Sequence, residues 1–159
     1  MNILFYGNTG CGKSTLAETI CKRYPYFKHV NTGTLTRMMA SFGCKNLPLL
    51  VQDMIKSMSP IENHIFDHFY THTWEQLNDL FDTPYVVAVE DKRTNKKPVD
   101  EMKHNRFFAQ AHEVHRFMIT HHIVPIKVYN TDYGFDVSEL IKADILPFDE
   151  FAVLRPGQI

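Results

Sequence analysis

Short apolar runs alternate with longer amphipathic stretches along this chain. Residues 3–6 form a short apolar segment that predicts a strand, and residues 28–31 predict a second short strand. Residues 13–22 between them have the spacing of a helix. Residues 85–89 form a continuous apolar and β-branched run, which is typical of a buried parallel strand, and residues 123–129 predict another strand. Strands that alternate with helices in this way predict an α/β fold, in which helices cover both faces of a mainly parallel central sheet in three layers.

Five other stretches have the apolar spacing of helices. They are residues 34–40, 49–57, 61–80, 99–121 and 137–142. Pro60 lies just before the third of these, and proline favours the first turn of a helix. With 159 residues the chain has the length of one domain. We therefore expect a single domain over residues 1–159, with a helical insertion at about 34–80.

The strongest chemical signal lies in the loop between the first predicted strand and the first predicted helix. Its glycines allow the backbone to wrap around an anion, so that amide groups and the helix N-terminus point at phosphate oxygens. Lys13 would reach the β- and γ-phosphates, and the Ser14 hydroxyl would ligate Mg²⁺. The motif predicts a P-loop NTPase fold that binds ATP with Mg²⁺. Its residues are Gly7, Asn8, Thr9, Gly10, Cys11, Gly12, Lys13, Ser14 and Thr15.

Two acids, Glu90 and Asp91, follow the buried run at residues 85–89. An acid at the end of a strand beside the P-loop strand can hold Mg²⁺ through water. Side chains alternate along a strand, which leaves open which of the two acids faces the nucleotide, with Asp91 preferred. We expect a metal site of Ser14 with Glu90 or Asp91, and a salt bridge within the following loop is the alternative.

The overall composition narrows the function classes. With 17 basic and 18 acidic residues the formal net charge is −1, so nothing indicates a protein that wraps nucleic acid. No apolar run approaches the ~20 residues of a membrane span, and the chain begins with a predicted core strand. The three cysteines are widely spaced, which argues against a zinc site or a disulfide framework and suits a reducing compartment. We therefore expect a cytoplasmic protein without a membrane anchor or signal peptide.

Three histidines are spaced by four residues in the predicted helix 61–80. His64, His68 and His72 would share one face of that helix, and such a pair or triplet can bind a transition metal. A polar helix face is the preferred interpretation, because no cysteine or dedicated carboxylate completes a ligand set.

Three segments together resemble the nucleoside monophosphate kinases, the family that includes adenylate kinase. Residues 29–37 read His-Val-Asn-Thr-Gly-Thr-Leu-Thr-Arg, which is similar to the family's signature at the monophosphate site. Residues 54–62 resemble the stretch that opens the second helix on the monophosphate side. Residues 86–94 lie where the family has a strand that ends in Asp and is followed by Arg-Thr. The resemblance covers about residues 1–95 and implies transfer of the γ-phosphate of ATP to a nucleoside monophosphate.

The resemblance also assigns roles around the acceptor nucleotide. It implies that Thr32 hydrogen-bonds the acceptor and that Gly33 lets the acceptor lie close to the backbone. Arg37 and Arg93 would hold the acceptor phosphate, and Ser59 would lie beside the base. Arginine suits this role because its guanidinium binds phosphate through two parallel hydrogen bonds. The catalytic set that follows is Lys13, Arg37, Asp91 and Arg93.

The chain departs from the family pattern at several places. Residues 12–15 read Gly-Lys-Ser-Thr where the family has Gly-Lys-Gly-Thr. The family also has a glutamine that helps to choose the acceptor base, and Lys97 is at the nearest equivalent position of this chain. The acid-to-arginine spacing after residue 89 is shorter than in the family. The family's arginine-bearing helix and lid are missing after the predicted strand 123–129. The basic loop 92–98, with Lys103 and Arg106 beyond it, is the candidate replacement for the lid, and a solvated loop is the alternative.

The sequence thus predicts a phosphotransferase that acts on nucleoside or deoxynucleoside monophosphates. One alternative is another P-loop kinase, acting on a small molecule or on a polynucleotide 5′-end, which the Gly-Lys-Ser-Thr loop favours. The other is a non-catalytic nucleotide-binding regulatory protein, in which the acidic C-terminal segment engages a partner. Nucleotides are the expected partners, and nucleic acid is expected only as a 5′-end substrate. The sequence leaves the base, the sugar and the oligomeric state open.

Overall fold

The computed structural model describes residues 1–31, 41, 43, 62–67, 83–95, 98 and 100–157. The predicted helices at 34–40 and 49–57 lie outside these residues, as does most of the expected insertion at 34–80. That insertion, and the assignment of the whole chain to one domain, therefore stay predictions.

Seven strands of the described part form one sheet, in the order β2-β3-β1-β4-β5-β6-β7. The first five in this order pair in parallel, and the last two pair antiparallel. This arrangement confirms the mainly parallel sheet of an α/β fold. The strands are β1 (Asn2–Tyr6), β2 (Phe27–Val30), β3 (Asn63–Phe66), β4 (Tyr85–Asp91), β5 (Ile126–Thr131), β6 (Gly134–Asp136) and β7 (Val153–Leu154).

The described helices are α1 (Lys13–Arg23), α2 (Glu101–Thr120) and α3 (Ser138–Lys142), and they cover opposite faces of the sheet. Asp100 begins α2, because its carboxylate accepts a hydrogen bond from the amide of Met102 at 2.9 Å. No described helix has the length and apolar character that crossing a membrane requires.

Side chains that alternate along the central strands build a separate core on each face of the sheet. On one face, Ile3 and Phe5 of β1 pack in a buried cluster with Leu16 of α1 and Leu140 of α3. On the other face, Leu4 of β1 packs with α2 residues in a second cluster. The described helices therefore lie on both sides of the sheet, as the three-layer prediction requires.

Residues 63–66 form a strand, so the prediction of a continuous helix over 61–80 is wrong there. This strand, β3, lies between β2 and β1 and pairs in parallel with both. Ile65 and Phe66 are buried on its two faces. Short apolar runs do not distinguish a buried strand from a helix turn, and here burial in the middle of the sheet decides the matter.

The strand at β3 also removes the basis for a histidine face on one helix. The side chain of His64 is only 5% exposed and its Nε2 lies 3.5 Å from Glu62. His68 and His72 lie outside the described residues. Among the residues that are described, no group of three His, Cys, Asp or Glu side chains could hold a metal ion.

The sheet continues at its C-terminal end beyond what the sequence predicts. The expected strand 123–129 begins later, at Ile126, directly after Pro125. The hairpin to β6 and the pairing with β7 were not predicted, because strands of three and two residues are too short to show a period. Gly134 is required in this hairpin, because it has φ 129° and an added Cβ would lie 2.6 Å from the Leu154 carbonyl oxygen.

Candidate functional site

The loop between β1 and α1 has the backbone that the predicted P-loop needs. Gly12 has φ 103°, and an added Cβ would lie 2.7 Å from the side-chain nitrogen of Asn130. An added Cβ on Gly7 would lie 2.6 Å from the Val89 carbonyl oxygen. Gly10 also lies in the left-handed region, with φ 80°. An added side chain at Gly7 or Gly12 would collide with neighbouring atoms, so the loop packs closely against β4 and Asn130 at these two positions.

Lys13 and Asn130 hold the loop from its two sides. The Lys13 ammonium donates to the carbonyl oxygen of Gly7 at 2.6 Å and to that of Asn8 at 3.3 Å. Asn130, at the end of β5, donates to the carbonyl oxygen of Cys11 at 3.0 Å. Burial raises the pKa of the Cys11 thiol, so this residue stays neutral and serves as a small packing residue.

A buried carboxylate follows β3 and faces the first turn of α1. The Ser14 hydroxyl donates to Oδ2 of Asp67 at 2.8 Å, and Nε2 of His29 lies 2.9 Å from the same oxygen. The Asp67 side chain is 5% exposed. Because β3 neighbours both β1 and β2, this pairing brings an acid and a histidine to the hydroxyl that was predicted to bind Mg²⁺.

Glu90 and Asp91 contact other residues than Ser14 in this structure, so the predicted metal site of Ser14 with one of these acids stays a prediction. Glu90 lies 3.3 Å from Lys127 and 3.6 Å from Lys92 at the surface. Asp91 forms an ion pair with Arg93 at 2.8 Å, as the salt-bridge alternative described. β4 does neighbour β1, but the Ser14 side chain points toward β3 on the opposite side of β1.

Arg93 lies against the P-loop, held there by Asp91. Its guanidinium donates to both Asp91 carboxylate oxygens and, through Nη2, to the Gly10 carbonyl oxygen at 2.8 Å. The hydrogen bonds with Asp91 raise the pKa of Arg93, so the group stays charged. Thr94 fixes the same loop through two bonds of 3.0 Å to Asp132. Arg93, which was predicted to bind the acceptor phosphate, therefore lies at the turn of the P-loop.

Helix α2 forms the other wall of the site. A cavity of about 560 Å³ extends from the P-loop to this helix and is also bordered by Asn31 and Asp67. Lys103 lines the cavity, which places one of the expected basic residues there. Asn8 of the P-loop contacts Nδ1 of His104 at 3.1 Å and so ties the start of α2 to the loop.

Several predicted site residues lie outside the described part of the chain. They are Thr32, Gly33, Arg37, Ser59 and Lys97.

Sequence reasoning missed another set of residues that border the site. These are Tyr6, His29, Asp67, His104, Phe107 and Gln110. An acid directly after the apolar pair Ile65-Phe66 was the signal for Asp67, but the helical interpretation of 61–80 concealed it.

Comparisons with known proteins place the chain in a family. A fungal RNA kinase of known crystal structure is similar to it at 14% identity and a TM-score of 0.42, over 95% of this chain and 92% of that chain. A search of curated proteins finds no match. The model of the ATPase family associated with various cellular activities (AAA) matches residues 3–83, which include β1, the P-loop, α1 and β3. The chain therefore belongs to the ATPase family associated with various cellular activities, and it is a P-loop nucleotide-binding domain.

Proposed function

We propose that this protein transfers the γ-phosphate of ATP to a nucleoside or deoxynucleoside monophosphate. One observation carries the proposal: the cavity of about 560 Å³ continues beyond the P-loop to a second wall on α2. A site that only bound ATP would need the loop and a place for the base. A transferase also needs room for an acceptor in line with the γ-phosphate, and the space between the loop and α2 offers that room.

The donor side has the groups that phosphoryl transfer requires. This reaction depends on positioning and on neutralising the charge of phosphate oxygens, with little covalent chemistry for the protein to supply. Lys13 would exchange its bonds to loop carbonyls for the β- and γ-phosphates. Arg93 adds a second fixed cation at Gly10, and its ion pair with Asp91 orients the guanidinium before ATP binds.

The residues around Ser14 fit a magnesium ion. Mg²⁺ prefers oxygen ligands and keeps several of its waters, and the site offers the Ser14 hydroxyl with the Asp67 carboxylate 2.8 Å from it. When bound, the ion would supply positive charge that neutralises the charge developing on the phosphate oxygens. Ser14 would then ligate the ion directly, while Asp67 would hold its water and His29 would orient Asp67.

The acceptor side favours a monophosphate over a hydroxyl group. A hydroxyl acceptor needs a base to remove its proton, whereas a monophosphate is already an anionic nucleophile. Asp67 is the carboxylate that lines the cavity within the described residues, and both Ser14 and His29 already contact it. Lys103 on the α2 wall supplies a positive charge for an acceptor phosphate.

The test is to incubate the protein with ATP, Mg²⁺ and each of a panel of ribo- and deoxynucleoside monophosphates. Turnover is measured as the release of ADP. Lys13→Ala serves as the inactive variant, and Lys22→Ala, at an exposed site on α1, is the matched control for loss of a lysine. We expect turnover that depends on the acceptor, is lost in Lys13→Ala and is kept in Lys22→Ala.

Two other results would overturn the proposal. Phosphate transfer to oligonucleotides with a 5′-hydroxyl, but to no monophosphate, would make the protein a polynucleotide kinase. ATP binding by calorimetry without acceptor-dependent turnover would instead indicate a nucleotide-binding regulatory protein or a simple ATPase.

A further inference from the structure

We infer that the base of the acceptor lies against an aromatic wall made by Tyr6 and Phe107, and that Gln110 reads the edge of that base. The inference rests on the proposed function and identifies the residues that would determine specificity. All three residues line the same cavity as the P-loop. None of them belongs to the segments that resemble the monophosphate-binding parts of nucleoside monophosphate kinases.

The wall is formed where β1 ends and α2 passes over the sheet. The rings of Tyr6 and Phe107 are stacked, with centroids 5.4 Å apart and planes 27° from parallel. His115 meets the Tyr6 ring edge-on at 6.0 Å. The two rings support each other in a fixed orientation, and both still border the cavity. A pre-arranged aromatic surface of this kind suits a planar heteroaromatic ring, because every base has a π-face that can stack.

Four residues of α2 that line the cavity have the spacing of a single helix face. Lys103, Phe107, Gln110 and Val114 are separated by four, three and four residues, which aligns them along the helix. Their order gives first a cation, then an aromatic ring, then an amide and finally a buried apolar side chain. The same order of chemistry occurs along a nucleoside monophosphate, from its phosphate to the far edge of its base.

The length of this stripe also matches a nucleotide lying along the helix. Gln110 lies seven positions after Lys103, which at about 1.5 Å per residue places the two residues roughly 10 Å apart along the helix axis. The contact between His104 and Asn8 fixes the Lys103 end of α2 beside the P-loop. A phosphate at Lys103 would therefore lie near the transferred group, and the base would extend away along α2.

The position of the wall assigns it to the acceptor and not to the adenine of ATP. Ser14 and Asp67 mark the side of the loop where the magnesium ion and the transferring phosphate would lie. α2 packs on the face of the sheet opposite to α1, so the wall lies across the cavity from the helix that holds the donor phosphates. In-line transfer requires the acceptor on the far side of the γ-phosphate.

Gln110 offers the kind of contact that distinguishes one base from another. Its amide presents a donor and an acceptor side by side, which can pair with the donor and acceptor on the edge of a base. It is exposed at the cavity, so a ligand can reach it. A leucine at this position would keep the size of the side chain and remove both hydrogen bonds.

The test compares Phe107→Leu and Gln110→Leu with Phe108→Leu, in which a neighbouring phenylalanine that is 58% exposed is changed in the same way. Phe107→Tyr keeps a stacking ring and tests whether stacking is what Phe107 contributes, while the KM for ATP of Phe107→Leu shows whether that variant is still folded. Binding of the preferred monophosphate is measured by calorimetry together with the KM values for that acceptor and for ATP. Ribose 5-phosphate, which has no base, is the second ligand.

We expect Phe107→Leu to weaken monophosphate binding about tenfold or more, with the KM for ATP and the binding of ribose 5-phosphate unchanged. Gln110→Leu should weaken binding of the monophosphate with the preferred base several-fold, and it should reduce the differences in affinity among monophosphates with different bases. Phe108→Leu should bind like the wild type, and Phe107→Tyr should recover most of the binding that Phe107→Leu loses, because it keeps a stacking ring.

Two outcomes would overturn the inference while leaving the kinase proposal intact. The wild type and Phe107→Leu could bind and phosphorylate monophosphates equally well, or Phe107→Leu could raise only the KM for ATP, which would assign the wall to adenine. If the wild type binds monophosphates at the wall but phosphorylates none, the proposed function fails and the inference about the base survives. If no monophosphate binds at all, both fail.

Discussion

The two strands that flank β1, β3 on one side and β4 on the other, both end in acids but place them in different environments. Asp67 after β3 is buried and contacts Ser14 and His29. Asp91 at the end of β4 binds Arg93, which in turn contacts the outer turn of the P-loop. A position at the end of a strand beside the P-loop strand is therefore not sufficient to bring an acid to Ser14. The direction in which Ser14 leaves the loop determines which acid faces it.

The largest effect that separates the two strands is expected for Asp67→Asn. This change keeps the size of the side chain but removes the charge beside Ser14, so it should lower kcat on the order of 10²-fold. Asp91→Asn is the matched variant on β4 and should have a much smaller effect on kcat. Steady-state transfer at saturating ATP, followed as a function of Mg²⁺ concentration, measures both. Strong loss in Asp91→Asn with an active Asp67→Asn would reverse the assignment of the two acids.

Changes at Arg93 and Asp91 should alter ATP binding and leave the response to Mg²⁺ unchanged. Arg93→Ala removes a cation from the P-loop, and Asp91→Ala releases the guanidinium that it now orients. Each should raise the KM for ATP roughly three- to tenfold, and the double variant should be no worse than Arg93→Ala alone, since both act through one group. If the increases in the KM for ATP were additive in the double variant, Asp91 would have a role separate from Arg93. A shift in the Mg²⁺ midpoint of Asp91→Ala would identify that role as metal binding.

His29→Gln should have an intermediate effect on the β3 side of the site. His29 holds the oxygen of Asp67 that also accepts from Ser14, so its loss should weaken the positioning of that carboxylate. Residues that orient metal ligands typically contribute about tenfold or more to metal affinity or activity. We expect a higher Mg²⁺ requirement with an unchanged KM for ATP at saturating Mg²⁺. Lys28→Gln, at the preceding exposed position of β2, is the control and should leave the Mg²⁺ midpoint in place.

The same two strands explain what could be predicted from the sequence. β4 could be identified because residues 85–89 form a continuous apolar and mostly β-branched run. The P-loop could be identified because its motif prescribes the backbone conformation. β3 has four residues within a longer stretch of helical spacing, so its one local sign was the acid that follows Ile65 and Phe66. The contact between Ser14 and Asp67 joins residues 53 positions apart, and it depends on the order of the strands in the sheet. Sequence patterns report local periodicity well, but they do not report which strands become neighbours.

The smallest expected effect concerns stability, and it too separates β3 from β4. Burial lowers the pKa of His64 on β3, although the nearby Glu62 opposes the shift. The unfolded chain therefore binds a proton more readily than the folded one, so stability is complete above pH 6.5 and falls as the pH drops from there toward the lower folded-state pKa. Thermal melting between pH 7.5 and about 5 should show a fall in Tm that His64→Gln reduces. β4 contributes no histidine, so Tyr85→Phe at its first residue should melt with the pH dependence of the wild type. If His64→Gln kept the full pH dependence, the cost of burying the imidazole would be too small to measure and the acid sensitivity would lie elsewhere in the fold.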